Sequence, residues 1–175
     1  MRMPATQHFL NMKARSYLTM ARKRRPRIVG LAAMLVVSTS VLADINQCFS
    51  EAAGRYQVPA KLLKAIALVE SNNKTDAING NNSDGSRDYG LMQINSQHLE
   101  RLQPYRITAP VLVRDPCTNI HVGAWILAEN LVTTKGDLWA AVGAYNAGFS
   151  TKPKVQRARR HYVSKVRDAL NHVGE

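Results

Sequence analysis

The 175-residue sequence predicts a mainly α domain of the α+β kind, with five or six helices and one small irregular or β lobe. Three observations carry that expectation. Apolar residues recur at spacings of three and four in several segments, cap and breaker residues stand at the ends of those segments, and one turn-dense stretch, residues 74–95, interrupts them.

From Ile45 the residues Ile45, Cys48, Phe49, Ala52, Ala53 and Tyr56 define the apolar face of a first helix. In "VPAKLLKAIALVESN", Pro59 fits a first helical turn, where its missing N–H is no loss. Leu62, Leu63, Ile66 and Val69 make one apolar side, and Asn72 and Asn73 suit the end. The stretch "KTDAINGNNSDGSRDYGLMQIN" is rich in turn residues but bounded by the apolar "YGLMQI", which predicts a packed β-like or irregular lobe. Ser96 is placed to cap a short helix through Leu102 that ends near Pro104. Asp115-Pro116 reads as a cap and first helical residue. The run after it is apolar on several sides, as a central helix is, and Gly136 stops it. Asp137 caps "LWAAVGAYNAG". A last helix, roughly Lys154 to Asn171, buries Val155, Tyr162, Val166 and Leu170 and exposes Arg157, Arg159, Arg160, Lys165 and Arg167.

The formal net charge of +12 invites a nucleic-acid-binding reading, but its distribution removes it. Residues 1–43 hold eight Lys and Arg and no acid, whereas residues 44–175 carry sixteen basic and twelve acidic side chains, an ordinary surface balance. The basic "RKRRPR" before the apolar "IVGLAAMLVVSTSVL" and the "VLA" preceding Asp44 have the pattern of a signal peptide with an extended basic n-region, cleaved after Ala43. Met20 offers a second candidate start. Fifteen apolar or small residues fall short of the ~20 that span a bilayer, so no stable membrane span is expected after cleavage. The mature chain, residues 44–175, is then one domain.

Export favours a disulfide between Cys48 and Cys117 over two buried free thiols, and closing a loop of this length is worth roughly 4 kcal/mol in the chain-entropy model. No His or third Cys stands at metal-ligand spacing, so no metal is expected. His98, His121, His161 and His172 read as surface or core residues.

Three pieces can carry chemistry. Glu70 lies four residues after Ile66 and seven after Leu63, on the flank of an apolar stripe, where partial desolvation raises a carboxyl pKa and suits a general acid. In Gly90-Leu91-Met92-Gln93-Ile94-Asn95, an extended backbone would turn Leu91, Gln93 and Asn95 one way and Met92 and Ile94 the other, so that amides line a cleft. Tyr145 and Asn146, within "AYNAG", can bring a phenol and an amide to a ligand.

"ES" at a helix end, then "GLMQ", then "AYNAG", in that order, resembles the signature of lytic transglycosylases with a goose-type-lysozyme-like catalytic domain, over about Cys48 to Leu170. The short exported chain with Cys48 and the "DPCTNI" cysteine resembles the small members that accompany type III and type IV secretion, conjugation and pilus systems. The resemblance implies a lysozyme-like fold, the glycan strands of peptidoglycan as substrate and no organic cofactor. It further implies the periplasm of a Gram-negative bacterium as the compartment and components of such an apparatus as partners. Glu70 matches the catalytic acid and base, Ser71 the residue beside it, Met92 and Gln93 the cleft wall, and Tyr145 and Asn146 the pair near the carboxylate.

The stretch "DGSRDYGLMQINS" also resembles animal c-type lysozymes, which hydrolyse the same polymer with two carboxylates. Asp88 stands where their second carboxylate would stand, with Tyr89 beside it and Asn95 downstream, both expected to contact substrate. A turn or substrate-binding role for Asp88 is favoured over a catalytic one, and Asp84 before Gly85 reads as a turn residue. A hydrolase using Glu70 and Asp88, and a non-catalytic peptidoglycan-binding component, are the alternatives. The basic face of the last helix reads as solvated, with contact to an anionic glycan or a partner as the other reading.

Overall fold

A computed structural model describes the backbone of residues 38–174 and the side chains of residues 45–174. Helix α1 spans Ser38–Tyr56 and α2 spans Ala60–Ser71. Three two-residue strands follow, β1 (Ile78–Asn79), β2 (Asp88–Tyr89) and β3 (Ile94–Asn95). Then come α3 (Leu99–Leu102) between two 3-10 turns, α4 (Ala109–Arg114), α5 (Pro116–Thr133), α6 (Leu138–Ala147) and α7 (Pro153–Leu170). This is the mainly helical fold with a small sheet that the sequence predicts. The expected leader, residues 1–43, falls outside the described residues up to 37. Beyond that point the helical backbone of α1 runs through Ala43 and Asp44 without a break. Among the described residues no helix is long and apolar enough to cross a membrane.

Helix α5 is the hub. It packs on α1, α4, α6 and α2 and meets the sheet through β3, while α7 lies across α6 and α2. Its consecutive buried residues Val122 to Leu127 explain the apolar faces on several sides. Leu63, Ile66, Ile120, Leu127, Val142 and Val166 are fully buried between these helices, at roughly 1.5–3 kcal/mol of hydrophobic stabilisation each. Cys48 and Cys117 form a disulfide with Cα atoms 5.3 Å apart, clamping α1 to the first turn of α5.

The caps follow the sequence closely. Asp115 accepts from the Thr118 N–H at 3.0 Å and Asp137 from the Ala140 N–H at 2.9 Å, so each carboxylate satisfies an orphan donor of its helix. Asn72 closes α2 in the left-handed region at φ 52°. Pro59 sits one position before the first helical residue rather than within it. Asn95, not Ser96, caps the 3-10 turn Ser96–His98, accepting from the Gln97 N–H at 3.0 Å; the Ser96 hydroxyl accepts from the Arg87 N–H instead. Helix α4 is an element the periodicity did not reveal. Six residues with two valines and Pro110 carry little helical signal, and packing on α5 supplies the stability.

The sheet is antiparallel in the order β1-β2-β3, with Ile78 opposite Tyr89 and Tyr89 opposite Ile94. Between β2 and β3 the chain is a tight turn over residues 90–93, not the extended piece expected. Gly90 adopts φ +72°, and a Cβ there would lie 2.3 Å from the Leu112 carbonyl oxygen and 2.4 Å from Asn119 Nδ2. The turn therefore seats directly on the α4–α5 junction, where only glycine fits.

Asn119 ties that contact. Fully buried on α5, its Nδ2 donates to the carbonyls of Tyr89 (2.8 Å) and Leu112 (3.0 Å), while its Oδ1 accepts from the Met92 N–H at 2.7 Å. Truncation would leave three buried backbone groups unmet. Asn119→Ala is accordingly expected to lower unfolding free energy by about 3 kcal/mol in urea denaturation. A loss below about 0.5 kcal/mol would show that the turn is held by other means.

Candidate active site

Glu70 occupies the last turn of α2, half-buried, and the hydroxyl of Tyr162 on α7 donates to its Oε1 at 2.5 Å. Burial raises the Glu70 pKa from 4.5 to about 7. The Tyr162 hydrogen bond opposes that rise, the negative charge of Asp88 adds to it and the charge of Lys165 reduces it. A carboxyl that titrates near neutrality is thus produced mainly by burial, against the opposing effects of two groups on α7. Tyr162 is itself buried, which together with the Glu70 charge pushes its phenol pKa up and keeps it a proton donor.

The turn over residues 90–93 closes the other side. Ser71, next to Glu70, donates its hydroxyl to the Leu91 carbonyl at 2.8 Å, and Tyr145 on α6 donates to the Met92 carbonyl at 2.9 Å. Burial raises the Tyr145 pKa well above 10, with the charges of Glu70 and Asp88 adding to the effect. Two neighbouring carbonyls of one turn therefore fix a hydroxyl from α2 and another from α6. Of the three hydroxyls it is that of Tyr162, from α7, that bonds to the Glu70 carboxyl.

The expected wall residues divide. Met92 is 0% exposed and its side chain lies against Gly123, where an added Cβ would come within 2.9 Å, so its side chain belongs to the core beneath the site. Gln93 takes a left-handed backbone at φ 48°, and its Nε2 donates to the carbonyls of Gly90 (2.8 Å) and Ala77 (3.2 Å). Asn95 donates to Asp88 Oδ1 and to the Ser86 hydroxyl, both at 2.8 Å, so its amide serves the lobe. Tyr89 is half-buried with its carbonyl taken by Asn119, and Asn146 is exposed at the end of α6.

Asp88 stands on β2, not in the turn, and both of its oxygens are occupied. Oδ2 accepts from Asn82 Nδ2 at 2.8 Å and Asn79 Nδ2 at 3.2 Å, and Oδ1 from Asn95. Three side-chain amides hold one anion whose charge reaches Glu70. Asp84 is a turn residue: its Oδ1 accepts from the Ser86 N–H at 2.9 Å and its Oδ2 from Gln97. Arg159, expected to be exposed, is half-buried, and its Nε donates to the Gly148 carbonyl at 2.6 Å. Among the described residues no group of three or more His, Cys, Asp or Glu is placed to hold a metal ion.

The lineage of this arrangement is read from residues 47–166, which match the Transglycosylase SLT domain family. The chain belongs to that family. As an SLT-domain protein it is of the glycan-cleaving, lytic transglycosylase type, and the matched span contains every site residue from Glu70 to Tyr162. It is similar to protein IpgF of Shigella flexneri, 45% identical over 112 residues covering 64% of this chain and 72% of the relative. It is equally similar to invasion protein IagB of Salmonella typhimurium, 45% identical over 119 residues covering 68% and 72%. A peptidoglycan-binding-like protein of Escherichia coli O157:H7 is 35% identical over 151 residues, covering 81% and 90%.

Two site features escaped the sequence. Tyr162 was legible as a core position of the last helix but not as the partner of Glu70. Asn119 stood unremarked in an apolar run.

The Glu70 environment makes stability depend on pH. Its folded pKa of about 7 exceeds the 4.5 of a free side chain, so the contribution is fully present below pH 4.5 and is lost as pH rises through about 7. Glu70→Gln, a neutral analogue of the protonated acid, is expected to match the wild-type melting temperature near pH 4.5 and to exceed it by about 10 °C at pH 8. A pH-independent difference would mean that Glu70 is not held protonated.

Proposed function

We propose that this chain is an exported peptidoglycan lytic transglycosylase in which Glu70 acts first as general acid and then as general base. The observation that carries the reading is the half-buried carboxyl with a pKa raised to about 7, poised at the end of α2 beside a tyrosine hydroxyl. Protonated Glu70 donates to the glycosidic oxygen between N-acetylmuramic acid and N-acetylglucosamine, and the bond from that oxygen to the muramyl anomeric carbon breaks. The resulting carboxylate accepts the proton of the muramyl C6 hydroxyl as its oxygen attacks the same carbon. The products are a 1,6-anhydromuramyl end and a free 4-hydroxyl on N-acetylglucosamine, with no water consumed. Using a nucleophile already tethered to the sugar replaces a recruited water by a high effective concentration.

Roles for the neighbours follow. Tyr162 holds the carboxyl in place and returns a donor to it once ionised, and Ser71 and Tyr145 brace the turn that walls the site. Asn146, exposed at the end of α6, and the rim formed by Tyr89 and Gln93 contact the sugar. Export to the periplasm of a Gram-negative bacterium, after removal of residues 1–43, gives access to the polymer. There the enzyme opens the wall locally for an envelope-spanning secretion, conjugation or pilus apparatus. The names of the relatives, an invasion protein and a peptidoglycan-binding-like protein, support that setting.

Hydrolysis with Asp88 as a second carboxylate is the competing reading, favoured by the effect of the Asp88 charge on Glu70. Against it, the amides of Asn79, Asn82 and Asn95 already occupy both Asp88 oxygens. Mass spectrometry of muropeptides released from purified sacculi separates the two: anhydro ends are expected, and reducing ends throughout would establish hydrolysis.

Glu70→Gln is expected to cut release by about a thousand-fold while the protein stays folded, as removal of an essential acid does. Near-normal turnover by that variant would sink the assignment. Because the Tyr162 hydrogen bond lowers the Glu70 pKa, Tyr162→Phe should move the alkaline limb of the activity profile to higher pH. Asp88→Asn, by removing a charge that raises the pKa, should move the limb to lower pH while anhydro products persist. Loss as complete as that of Glu70→Gln, in a folded Asp88→Asn protein, would transfer the chemistry to two carboxylates.

A further inference from the structure

A groove of about 550 Å³ runs between α6 and α7, away from the catalytic carboxyl. Its apolar lining is Trp139, Ala140, Gly143 and Val163, and its basic lining includes Arg160 and Arg167. On α7 the lining positions 156, 160, 163, 164 and 167 fall on one side of the helix, with Arg159 at the edge of that side nearest Val166. Tyr162, Val166 and Ala169 point into the core from another, about a third of a turn away. None of the lining residues is among the groups that act on Glu70, which α7 serves through Tyr162 and Lys165.

Its charge is unusual for this molecule. Helix α7 carries six basic side chains against one acidic, whereas the rest of residues 44–175 carries ten basic against eleven acidic. The whole positive surplus of that part of the chain sits on one helix. Arg160 and Arg167 are exposed, and neither forms an ion pair among the described residues. The Arg167 guanidinium lies 4.3 Å from the centroid of the half-exposed Trp139 ring, which orders both at the groove edge. Arg159, which also lines the groove, is anchored to the Gly148 carbonyl and lies over the Phe149 ring.

We propose that this groove is a docking site for an acidic amphipathic helix of a partner protein. Arg160 and Arg167 are seven residues apart, about 10 Å along α7, the spacing of acidic side chains at i and i+7 on a helix lying alongside. An apolar side chain between those acids would meet Trp139 and Val163. Charge complementarity selects an acidic partner and disfavours a basic one.

The test uses a labelled synthetic peptide of about 18 residues with Glu at i and i+7 and leucines between them on one face, titrated into the intact protein by fluorescence anisotropy. Saturable 1:1 binding is expected, weakened by about ten-fold or more when the same composition is scrambled so that the acids no longer share a face. The double substitution Arg160→Glu/Arg167→Glu should weaken binding by at least the same factor, about ten-fold, and leave circular dichroism and release from sacculi unchanged. Equal affinity for the scrambled peptide, or indifference to the charge reversal, overturns the proposal. So does saturable binding of a disaccharide-tetrapeptide muropeptide that the charge reversal abolishes while the helical peptide fails to bind, which would give the groove to substrate.

Discussion

The buried amide of Asn119 is the contact on which the site depends. It meets three backbone groups from two separate segments, the Tyr89 carbonyl and Met92 N–H of the lobe and the Leu112 carbonyl of α4. Inside a low-dielectric core such a set is stabilising only when complete, so it fixes the turn over residues 90–93 in one position. That position presents the Leu91 and Met92 carbonyls to the hydroxyls of Ser71 and Tyr145. A two-strand connection thereby sets the distance between the ends of α2 and α6, and with it the surroundings of Glu70.

Those surroundings work through a balance of opposed effects. Burial disfavours the charged carboxyl, and the Asp88 charge does the same, while the Tyr162 hydroxyl and Lys165 favour it. Burial wins, yet not by so much that ionisation is forbidden. A group asked to give a proton and take one back within a single reaction has to remain accessible to both states near neutral pH. The three asparagine amides around Asp88 serve the same balance from a distance, since they hold that charge at a fixed place instead of leaving it to solvent.

What could be read in the sequence was local. Asp115 and Asp137 were legible as caps because the groups they satisfy lie three residues on. The apolar faces of α1, α2 and α7 repeat with the helix itself, and the apolar Val122 to Leu127 run marked α5 as central. What stayed hidden depends on separation along the chain. Asn119 answers groups 27 and 30 residues away, and the Tyr162 hydroxyl finds a carboxyl 92 residues earlier, so no spacing rule announces either. The left-handed backbone of Gln93 is equally silent, because glutamine carries no conformational signature. Gly90 was the one local hint that "GLMQ" is a turn, and it is intelligible only once the Leu112 carbonyl is seen to press against it. The order of three short motifs nevertheless pointed to the family to which residues 47–166 belong.

The central physical claim is that the fold keeps the Glu70 carboxyl protonated close to neutral pH. It is tested most directly by following the carboxyl carbon of Glu70 through a pH titration by NMR in the intact protein. A midpoint near 7 is expected from its burial, and a midpoint near 4.5, the value of a free glutamate, would contradict it.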